Sequence, residues 1–507
     1  MRTNASHTVY GAGLPKHTGY RRFHDQGVLE QASDAINNLQ HPQDSDLFTR
    51  RTGIKVGGLA LLGLMLDRLG IGTNSTARAA ETTSRTRQTE YIGPLNTRVS
   101  DPGISMILVV TSGGLSKWDT FSPLSETRGA NPSFIGPFSE ERTSLRGETV
   151  NFTEAIPKLA RQMHRMTLIK SLFHDNIQLD HNLTTAAMFT GNHMTQNPMD
   201  SYAPPVTPPP FIELADMLSN SNPNVYALLH FNEGPFRFQG GRYGSHPHPF
   251  SGLYHNHRHT IYSQYNTANG AFNRTQNNGG DIARYRSRRP LLEVFDNDPK
   301  HRPFGPAVDR AIAIDRQADL FLNGDFDNAF DLTRVPDRIR DKFGKNPFGD
   351  SLVTALRMVE KGAKIIVVSF GDCDFHDLME RNCKEYMPAY DQGLAALVEM
   401  VDMLDLPIVV VGTDEFNRTP RINNIMGRDH WGEANTMVLS GRGIPKGRVI
   451  GGVDERHGVA NRQRIPAKQV PELLLNLLGY AHFEINSGGI RTRDRTKPSP
   501  FNLVTGS

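Results

Sequence analysis

The chain has 507 residues, 37% of them hydrophobic, and a formal net charge of +3. This length supports one large domain with a substantial core, and a net charge of this size is too small to suggest binding to nucleic acid or a polybasic membrane patch. The two cysteines, Cys373 and Cys383, are too few for a zinc finger or a multi-disulfide framework. They are compatible with a single disulfide in an oxidising compartment.

The first 79 residues predict an export leader behind a polar extension. Residues 1–48 are polar, and Arg50 and Arg51 precede an apolar stretch at residues 56–66. That stretch is shorter than the roughly 20 residues that span a bilayer. We therefore expect a twin-arginine signal peptide at residues 49–79, cleaved near Ala79, with no transmembrane anchor left after cleavage. The mature protein would be periplasmic or secreted; the alternative is an amphipathic helix with a chance arginine pair.

Four short apolar runs bounded by turn residues predict buried parallel strands, at residues 106–110, 167–171, 364–370 and 408–411. Helical segments alternate with these strands. One is predicted to begin near Asn151, a second to span residues 351–361 with Asp350 as its N-cap, and a third to span residues 467–478. Strand followed by helix, repeated, is typical of a doubly wound sheet. The predicted fold for residues 80–507 is therefore α/β with a mainly parallel sheet.

The middle of the chain differs in composition. Residues 197–346 are rich in Pro, Gly, Asn, Arg and His and lack a regular apolar period. We interpret them as a large loop-rich insertion or cap over the strand ends. Five closely spaced histidines of this segment could bind a metal or belong to a solvated polar loop: His246, His248, His255, His257 and His259.

Acids and histidines follow the four predicted strands. Asp374 and His376 come directly after the third strand and, two residues apart, could share one ion in extended backbone. Asp414 and Glu415 follow the fourth strand. Because ligands bind beyond the carboxyl ends of strands in open α/β sheets, this density indicates a metal-assisted hydrolase site. A single such pair would ordinarily be structural.

Several motifs resemble one bacterial family. They are Ser112-Gly113-Gly114 with Trp118-Asp119-Thr120-Phe121, His181 with Met188-Phe189-Thr190-Gly191, Asp374-Phe375-His376, Glu415-Phe416-Asn417-Arg418-Thr419-Pro420, Gly427-Arg428-Asp429-His430-Trp431 and Gly441-Arg442-Gly443-Ile444. In this order they resemble the domain-of-unknown-function family 1501, which is similar in fold to the alkaline phosphatase and sulfatase superfamily. The family usually has proline and glycine where this chain has Leu115 and Asn417.

The resemblance implies a site with one or two divalent ions, of zinc, manganese, calcium or magnesium. Its expected ligands are Asp119, Asp374, His376, Asp414, Glu415 and His430, with Arg418 stabilising an oxyanion. The sulfatase spacing places His181 where that superfamily has its nucleophile. Thr184 and Thr185 lie one turn further and are alternative nucleophiles or ordinary helix positions. Attack by a metal-activated water would need no nucleophilic side chain.

Two functions from different classes follow. The first is an exported metal-dependent hydrolase of phosphate or sulfate esters, acting on an anionic substrate. The second is a phosphatase-fold protein without turnover that binds a polymer or a protein partner at the cell surface. The concentrated acids and histidines favour the first, and the missing hydroxyl or thiol at position 181 favours the second.

The leader yields a direct prediction. Changing Arg50 and Arg51 together to Lys should leave the protein in the cytoplasm with its leader uncut, because the twin-arginine pathway discriminates the guanidinium pair from other positive charges. Cell fractionation, with N-terminal sequencing of the exported wild type near Ala79, measures this. Unchanged export of the double-Lys variant would instead indicate the general secretion route.

Overall fold

The computed structural model describes residues 101–124, 132–137, 142–143, 149–175, 179–191, 228–231, 265–266, 271–272, 331–486, 489–494 and 500–505, with the single positions 214, 218 and 329. The predicted polar extension and signal peptide lie outside these residues. So does most of the predicted insertion, including His246, His248, His255, His257 and His259.

The described residues form eighteen strands and seven α-helices. The helices are α1 (Pro157–Ala160), α2 (His181–Thr190), α3 (Asp337–Phe343), α4 (Pro347–Glu360), α5 (Met379–Met403), α6 (Val470–Leu477) and α7 (Pro500–Thr505). The strands are β1 (Ser105–Ser112), β2 (Arg142–Thr143), β3 (Thr149–Val150), β4 (Met166–Phe173), β5 (Leu228–Phe231), β6 (Tyr265–Asn266), β7 (Ala271–Phe272), β8 (Ile365–Asp372), β9 (Ile408–Asp414), β10 (Asn417–Arg418), β11 (His430–Trp431), β12 (Asn435–Gly441), β13 (Arg448–Ile450), β14 (Gly452–Asp454), β15 (Val459–Arg462), β16 (Ile465–Pro466), β17 (Phe483–Asn486) and β18 (Gly489–Thr492).

The largest sheet has eight strands in the order β13-β4-β12-β9-β1-β8-β5, with β16 also paired to β4. Strand β1 pairs in parallel with β8 and β9, and β5 pairs in parallel with β8. Strand β12 is antiparallel to both of its neighbours, β9 and β4, so β4 runs in the same direction as β9. The predicted α/β class with a mainly parallel sheet is confirmed, and the four predicted strands all belong to this sheet.

Both faces of the central strands are buried, which explains their continuous apolar sequence. Alternate residues of β1 enter separate cores: Ile107 and Val109 pack with residues of α1, α4 and α5. On the other face, Met106, Leu108 and Val110 pack with residues of α2 and α6. The sheet is thus covered by helices on each side, and the polar residues at its strand ends lie between two apolar layers.

Two predicted helix starts were wrong. Asn346 caps α4, because its Oδ1 accepts hydrogen bonds from the backbone N–H groups of Phe348 and Gly349. Asp350 lies inside that helix and pairs with Arg340 at 2.7 Å. The helix expected near Asn151 begins only at Pro157, because Thr153 is bonded through its N–H and its hydroxyl to the loop after β1.

The remaining expectations concern the cysteines and membrane helices. Cys373 and Cys383 are both buried and unbonded to each other, so the possible disulfide is not formed. Within the described part of the chain, no helix combines the length and the apolar character needed to cross a membrane.

The packing of α6 on the sheet yields a stability prediction. Leu474→Ala should lower the free energy of unfolding by about 2–5 kcal/mol, because Leu474 is fully enclosed in the core and its loss leaves a cavity. Chemical denaturation followed by circular dichroism measures this. Arg381→Ala, at an exposed position of α5, is the control and should change stability by no more than about 0.5 kcal/mol.

Candidate metal centre

The candidate site lies at one edge of the main sheet. Strands β4, β9, β1 and β8 run in the same direction, so their carboxyl ends meet at this edge. Strand β8 leads into Asp374 and His376, and β9 leads into Glu415. His181 is the first residue of α2, and His430 begins the short strand β11, which pairs with β10 next to the end of β9.

Asp374 lies at the centre of the site with three histidines around its carboxylate. His181 Nε2 is 3.3 Å from Asp374 Oδ2, while His376 Nε2 and His430 Nε2 are 3.0 Å and 3.5 Å from Oδ1. The Nε2 atoms of His376 and His430 are 2.9 Å apart. All three imidazoles therefore turn the same nitrogen toward one carboxylate.

The other nitrogen of His430 and of His181 is held by an acceptor. His430 Nδ1 donates to the carbonyl oxygen of Leu179 at 2.7 Å, and His181 Nδ1 is 2.7 Å from Glu415 Oε1. A carbonyl or carboxylate oxygen can only accept, so the proton resides on Nδ1 in each neutral ring. The Nε2 lone pair of each ring then faces Asp374.

His376 follows the same rule at the rim of the site. Its Nδ1 lies 3.2 Å from Asp429 Oδ1, and Asp429 also accepts a hydrogen bond from Asn423 Nδ2 at 3.0 Å. The His376 side chain is 39% exposed, whereas that of His430 is 22% exposed. His376 is thus the ligand candidate that solvent and substrate can reach most easily.

Lone pairs and a carboxylate this close together repel each other unless a positive charge lies among them. The pKa of His181 reflects this need for positive charge. Burial by itself lowers that pKa, but interactions with Asp374 and Glu415 prevail and raise it to about 9. His181, Asp374 and His430 each place one ligand atom within 4.8 Å of the others. The site therefore has the negative charge and the ligand atoms that could hold a proton or a metal cation.

Arg418 lies behind Asp374 and is itself fully buried. Its Nε donates to Gly114 O at 2.8 Å and its Nη1 to Arg428 O at 3.0 Å, while Nη2 contacts Gly113 O and Asp374 Oδ1. Burial by itself raises the pKa of Asp374, but contacts with the histidines and Arg418 hold it well below its usual range. Arg418, which is predicted to stabilise an oxyanion, thus fixes the carboxylate that the histidines surround.

The structure does not bring Asp119 into this cluster. Asp119 and Arg428 form an ion pair at 2.8 Å in which both side chains are completely buried. Asp119 also accepts hydrogen bonds from Ser116 Oγ and from the backbone N–H of Phe134, both at 2.6 Å. Both carboxylate oxygens of Asp119 are therefore already bonded. The ion pair with Arg428 links the loop after β1 to the segment that precedes His430.

Asp414 and Glu415 have different positions. Glu415 Oε1 binds His181 and accepts a hydrogen bond from Gly113 N at 2.9 Å, so Glu415 supports a histidine of the cluster. Asp414 Oδ2 accepts from Leu115 N at 2.8 Å. Burial, followed by the charge of Glu415, raises the pKa of Asp414 well above its ordinary value. Asp414 is thus held away from the three histidines in a form that favours protonation.

Thr184, the predicted alternative nucleophile, is fully buried in α2. Its hydroxyl donates to the carbonyl oxygen of Asp180 at 2.5 Å, and the hydroxyl of Thr185 donates to that of His181 at 2.6 Å. These are ordinary hydrogen bonds of a helical threonine to the preceding turn. Neither hydroxyl is directed at Asp374.

Two supporting groups were missed by sequence reasoning. Asp429 lay inside a recognised motif, so its carboxylate was a detectable signal for a partner of His376. The Leu179 carbonyl that orients His430 had no signal, because any residue supplies a backbone oxygen. Four buried side-chain atoms of the described residues around the strand ends lack a hydrogen-bond partner: Ser112 Oγ, His181 Nε2, Asp414 Oδ1 and Glu415 Oε2. Such atoms usually mark bound water or an ion.

With this geometry established, the family can be stated. Residues 104–493, more than half of the chain, match the family described as protein of unknown function, DUF1501, and the chain belongs to that family. None of the curated proteins matches the sequence.

Several solved structures that are similar to the structure of this chain are enzymes. A phosphonate monoester hydrolase from Silicibacter pomeroyi is 12% identical, with 80% of this chain and 77% of that chain covered and a TM-score of 0.29. The lipoteichoic acid synthase LtaP from Listeria monocytogenes is 10% identical, with coverage of 77% and 74% and a TM-score of 0.30. The PsFucS1 sulfatase from Pseudoalteromonas sp. is 10% identical, with coverage of 74% and 68% and a TM-score of 0.31. Scores this low carry no argument about activity, which rests on the site itself.

The buried ion pair beside the cluster yields a stability prediction. Arg428→Met should destabilise the protein by about 3–5 kcal/mol, because it leaves Asp119 as an uncompensated buried charge. Adding Asp119→Asn should recover part of this loss, since the second change removes that charge. Chemical denaturation of both single variants and the double variant measures the coupling. Losses that add within about 0.5 kcal/mol would show that the two residues act independently.

Proposed function

We propose that the protein is an exported metal-dependent hydrolase of phosphate or sulfate esters. The observation that carries this proposal is the arrangement of His181, His376 and His430 around Asp374, with each Nδ1 bound to an acceptor and each Nε2 facing the carboxylate. Hydrogen bonds that fix the outer nitrogen of a histidine are characteristic of metal ligands.

The donor set supports zinc among the four ions considered. Imidazole nitrogens together with a carboxylate oxygen suit zinc, whereas calcium and magnesium prefer oxygen ligands throughout. Tetrahedral zinc with bonds of about 2.0–2.1 Å separates its ligand atoms by roughly 3.3 Å. His376 Nε2 and His430 Nε2 lie 3.0 and 3.5 Å from Asp374 Oδ1, and His181 Nε2 lies 3.3 Å from Asp374 Oδ2, which are separations of this size. The ligand atoms of His181, Asp374 and His430 all lie within 4.8 Å of one another. A bound divalent ion would supply Lewis-acid polarisation of the ester.

The residues around the cluster have separate tasks in this proposal. Arg418 holds Asp374 ionised, and Glu415 orients His181 and can keep a proton on its Nδ1. His181 Nε2 faces Asp374 together with His430 Nε2, so in this proposal His181 holds the ion and transfers no proton. His376, at the exposed rim, is held by Asp429 and lies where an anionic ester enters.

One observation favours the binding-protein alternative. Among the described residues, the predicted hydroxyl nucleophile Thr184 is engaged in its own helix and Arg418 uses its guanidinium inside the protein. A cluster without a nucleophile could hold an anionic surface polymer or a partner without turnover. Attack by water in place of a side chain reconciles the same geometry with hydrolysis, which is why the hydrolase is our first proposal.

Export and the finer fold belong to the same proposal. The Arg50-Arg51 pair and the apolar stretch behind it support twin-arginine export to the periplasm or beyond. Helices on both faces of the sheet support a doubly wound arrangement of alkaline phosphatase type. An exported hydrolase of this type would act on ester substrates outside the cytoplasm.

The proposal predicts a joint loss of metal and activity. Wild-type protein should retain one or two divalent ions and hydrolyse aryl phosphate or aryl sulfate esters with at least one metal. His430→Ala should weaken the metal by at least 10- to 100-fold and abolish hydrolysis, because an oriented ligand is lost. Elemental analysis and a chromogenic ester assay across several divalent metals measure the two effects.

The matched control is His164→Ala. His164 is exposed just before β4, at the opposite edge of the sheet from the cluster, so its loss should change neither metal content nor turnover. Less than about a tenth of an ion in metal-replete wild type would contradict the metal centre. Metal retention without hydrolysis of either ester class would favour the binding protein.

A further inference from the structure

Three exposed apolar side chains lie together beside the candidate metal centre. Leu378, Ile425 and Met426 are 48%, 54% and 57% exposed, which is unusual for residues of their size. The backbone N–H of Leu378 donates to Ile425 O at 3.4 Å, and that of Met379 donates to Met426 O at 3.1 Å. The loop that carries Ile425 and Met426 therefore rests on the start of α5. We call these three side chains the apolar rim.

The loop is built to hold a fixed position. Asn423 Oδ1 accepts from the backbone N–H groups of Ile425 and Gly427 at 3.1 and 2.9 Å, and its Nδ2 donates to His376 O at 2.8 Å. Gly427 approaches so closely that a Cβ atom there would lie 1.9 Å from His376 O. The apolar rim is thus tied to the backbone of a cluster histidine.

Two of the three residues have an unfavourable backbone conformation. Leu378 has φ of 42° and Met426 has φ of 61°, in the left-handed region that side chains with a Cβ atom avoid. Each costs of order 1–3 kcal/mol, and strain of this kind concentrates at ligand-binding sites. Stability alone would favour glycine or asparagine at both positions and polar side chains on this surface.

The size and position of the apolar rim indicate its occupant. Three side chains are far fewer than the roughly 20–30 residues that each partner contributes to a protein interface. Leu378 is two residues beyond His376, no more than about 7 Å between Cα atoms. Met426 is four positions before His430 in the sequence. A group that enters the cluster at His376 would place whatever is attached to it on the rim.

We propose that the apolar rim binds the hydrocarbon part of the substrate, so that the protein selects phosphate- or sulfate-type anions attached to an apolar alkyl or aryl group. This inference rests on the proposed function for the location of the anion. It adds that Leu378, Ile425 and Met426 determine specificity, because contact with them removes the apolar surface of the substrate's hydrocarbon group from water. This gain in binding free energy grows with the length of the substrate's alkyl chain.

The test compares two stable phosphonates, methylphosphonate and octylphosphonate, by calorimetric titration of zinc-loaded full-length protein. Octylphosphonate should bind wild type at least about 10 times more tightly than methylphosphonate. In the double variant Ile425→Ser/Met426→Ser this ratio should fall to about threefold or less. Both positions are exposed, so the substitutions should leave the fold intact.

Met403→Ser is the matched control, since Met403 is also an exposed methionine but lies at the far end of α5, roughly 36 Å from the rim. It should keep the full preference for octylphosphonate. Equal affinity of wild type for the two phosphonates, binding of neither, or a preference retained in the double variant overturns the inference. Phosphonate binding is measured without turnover. A failure to hydrolyse any ester would therefore contradict the proposed hydrolase activity, while the binding preference could still be interpreted.

Discussion

The buried guanidinium of Arg418 is the interaction on which the rest of the site depends. A charge in this environment is tolerated only when it is paired and its donors are bonded, and Arg418 meets both conditions. Its partners come from three places in the chain: the carbonyls of Gly113 and Gly114 after β1, Asp374 after β8, and the carbonyl of Arg428 before His430. Removing any of these partners would leave the charge under-bonded, so the three segments are held in one arrangement.

This arrangement creates an electrostatic imbalance at the centre of the cluster. Arg418 keeps Asp374 ionised from behind, while the three histidines are oriented from outside by Leu179, Glu415 and Asp429. The inward side is therefore rich in lone pairs and negative charge. A cation resolves the imbalance, and the contacts with Asp374 and Glu415 that raise the pKa of His181 to about 9 favour positive charge at this position. The polar centre and the adjoining apolar rim together suit an amphiphilic ester.

Much of the fold could be predicted from sequence because its signals are local. The buried strands β1, β4, β8 and β9 are continuous apolar runs that end in turn residues, and parallel strands with these ends place their following loops at one edge. That reasoning predicts Asp374, His376 and Glu415 in one region, and the family resemblance adds His430. The exact start of a helix was less predictable, because Asn346 and Asp350 are both capable caps. In the structure Asn346 caps α4, while Asp350 pairs with Arg340.

The sequence by itself therefore determined the sheet, its edge and the kinds of side chain gathered there. Only the tertiary structure decided what each side chain does, since that depends on partners hundreds of positions away. Asp119 carries the same carboxylate as Asp374, yet it pairs with Arg428 in the interior, while Asp374 faces three histidines. Arg418 turns inward because buried carbonyls and Asp374 surround it. The chemistry of a charged residue is set by burial and by its neighbours, and neither is written in the local sequence.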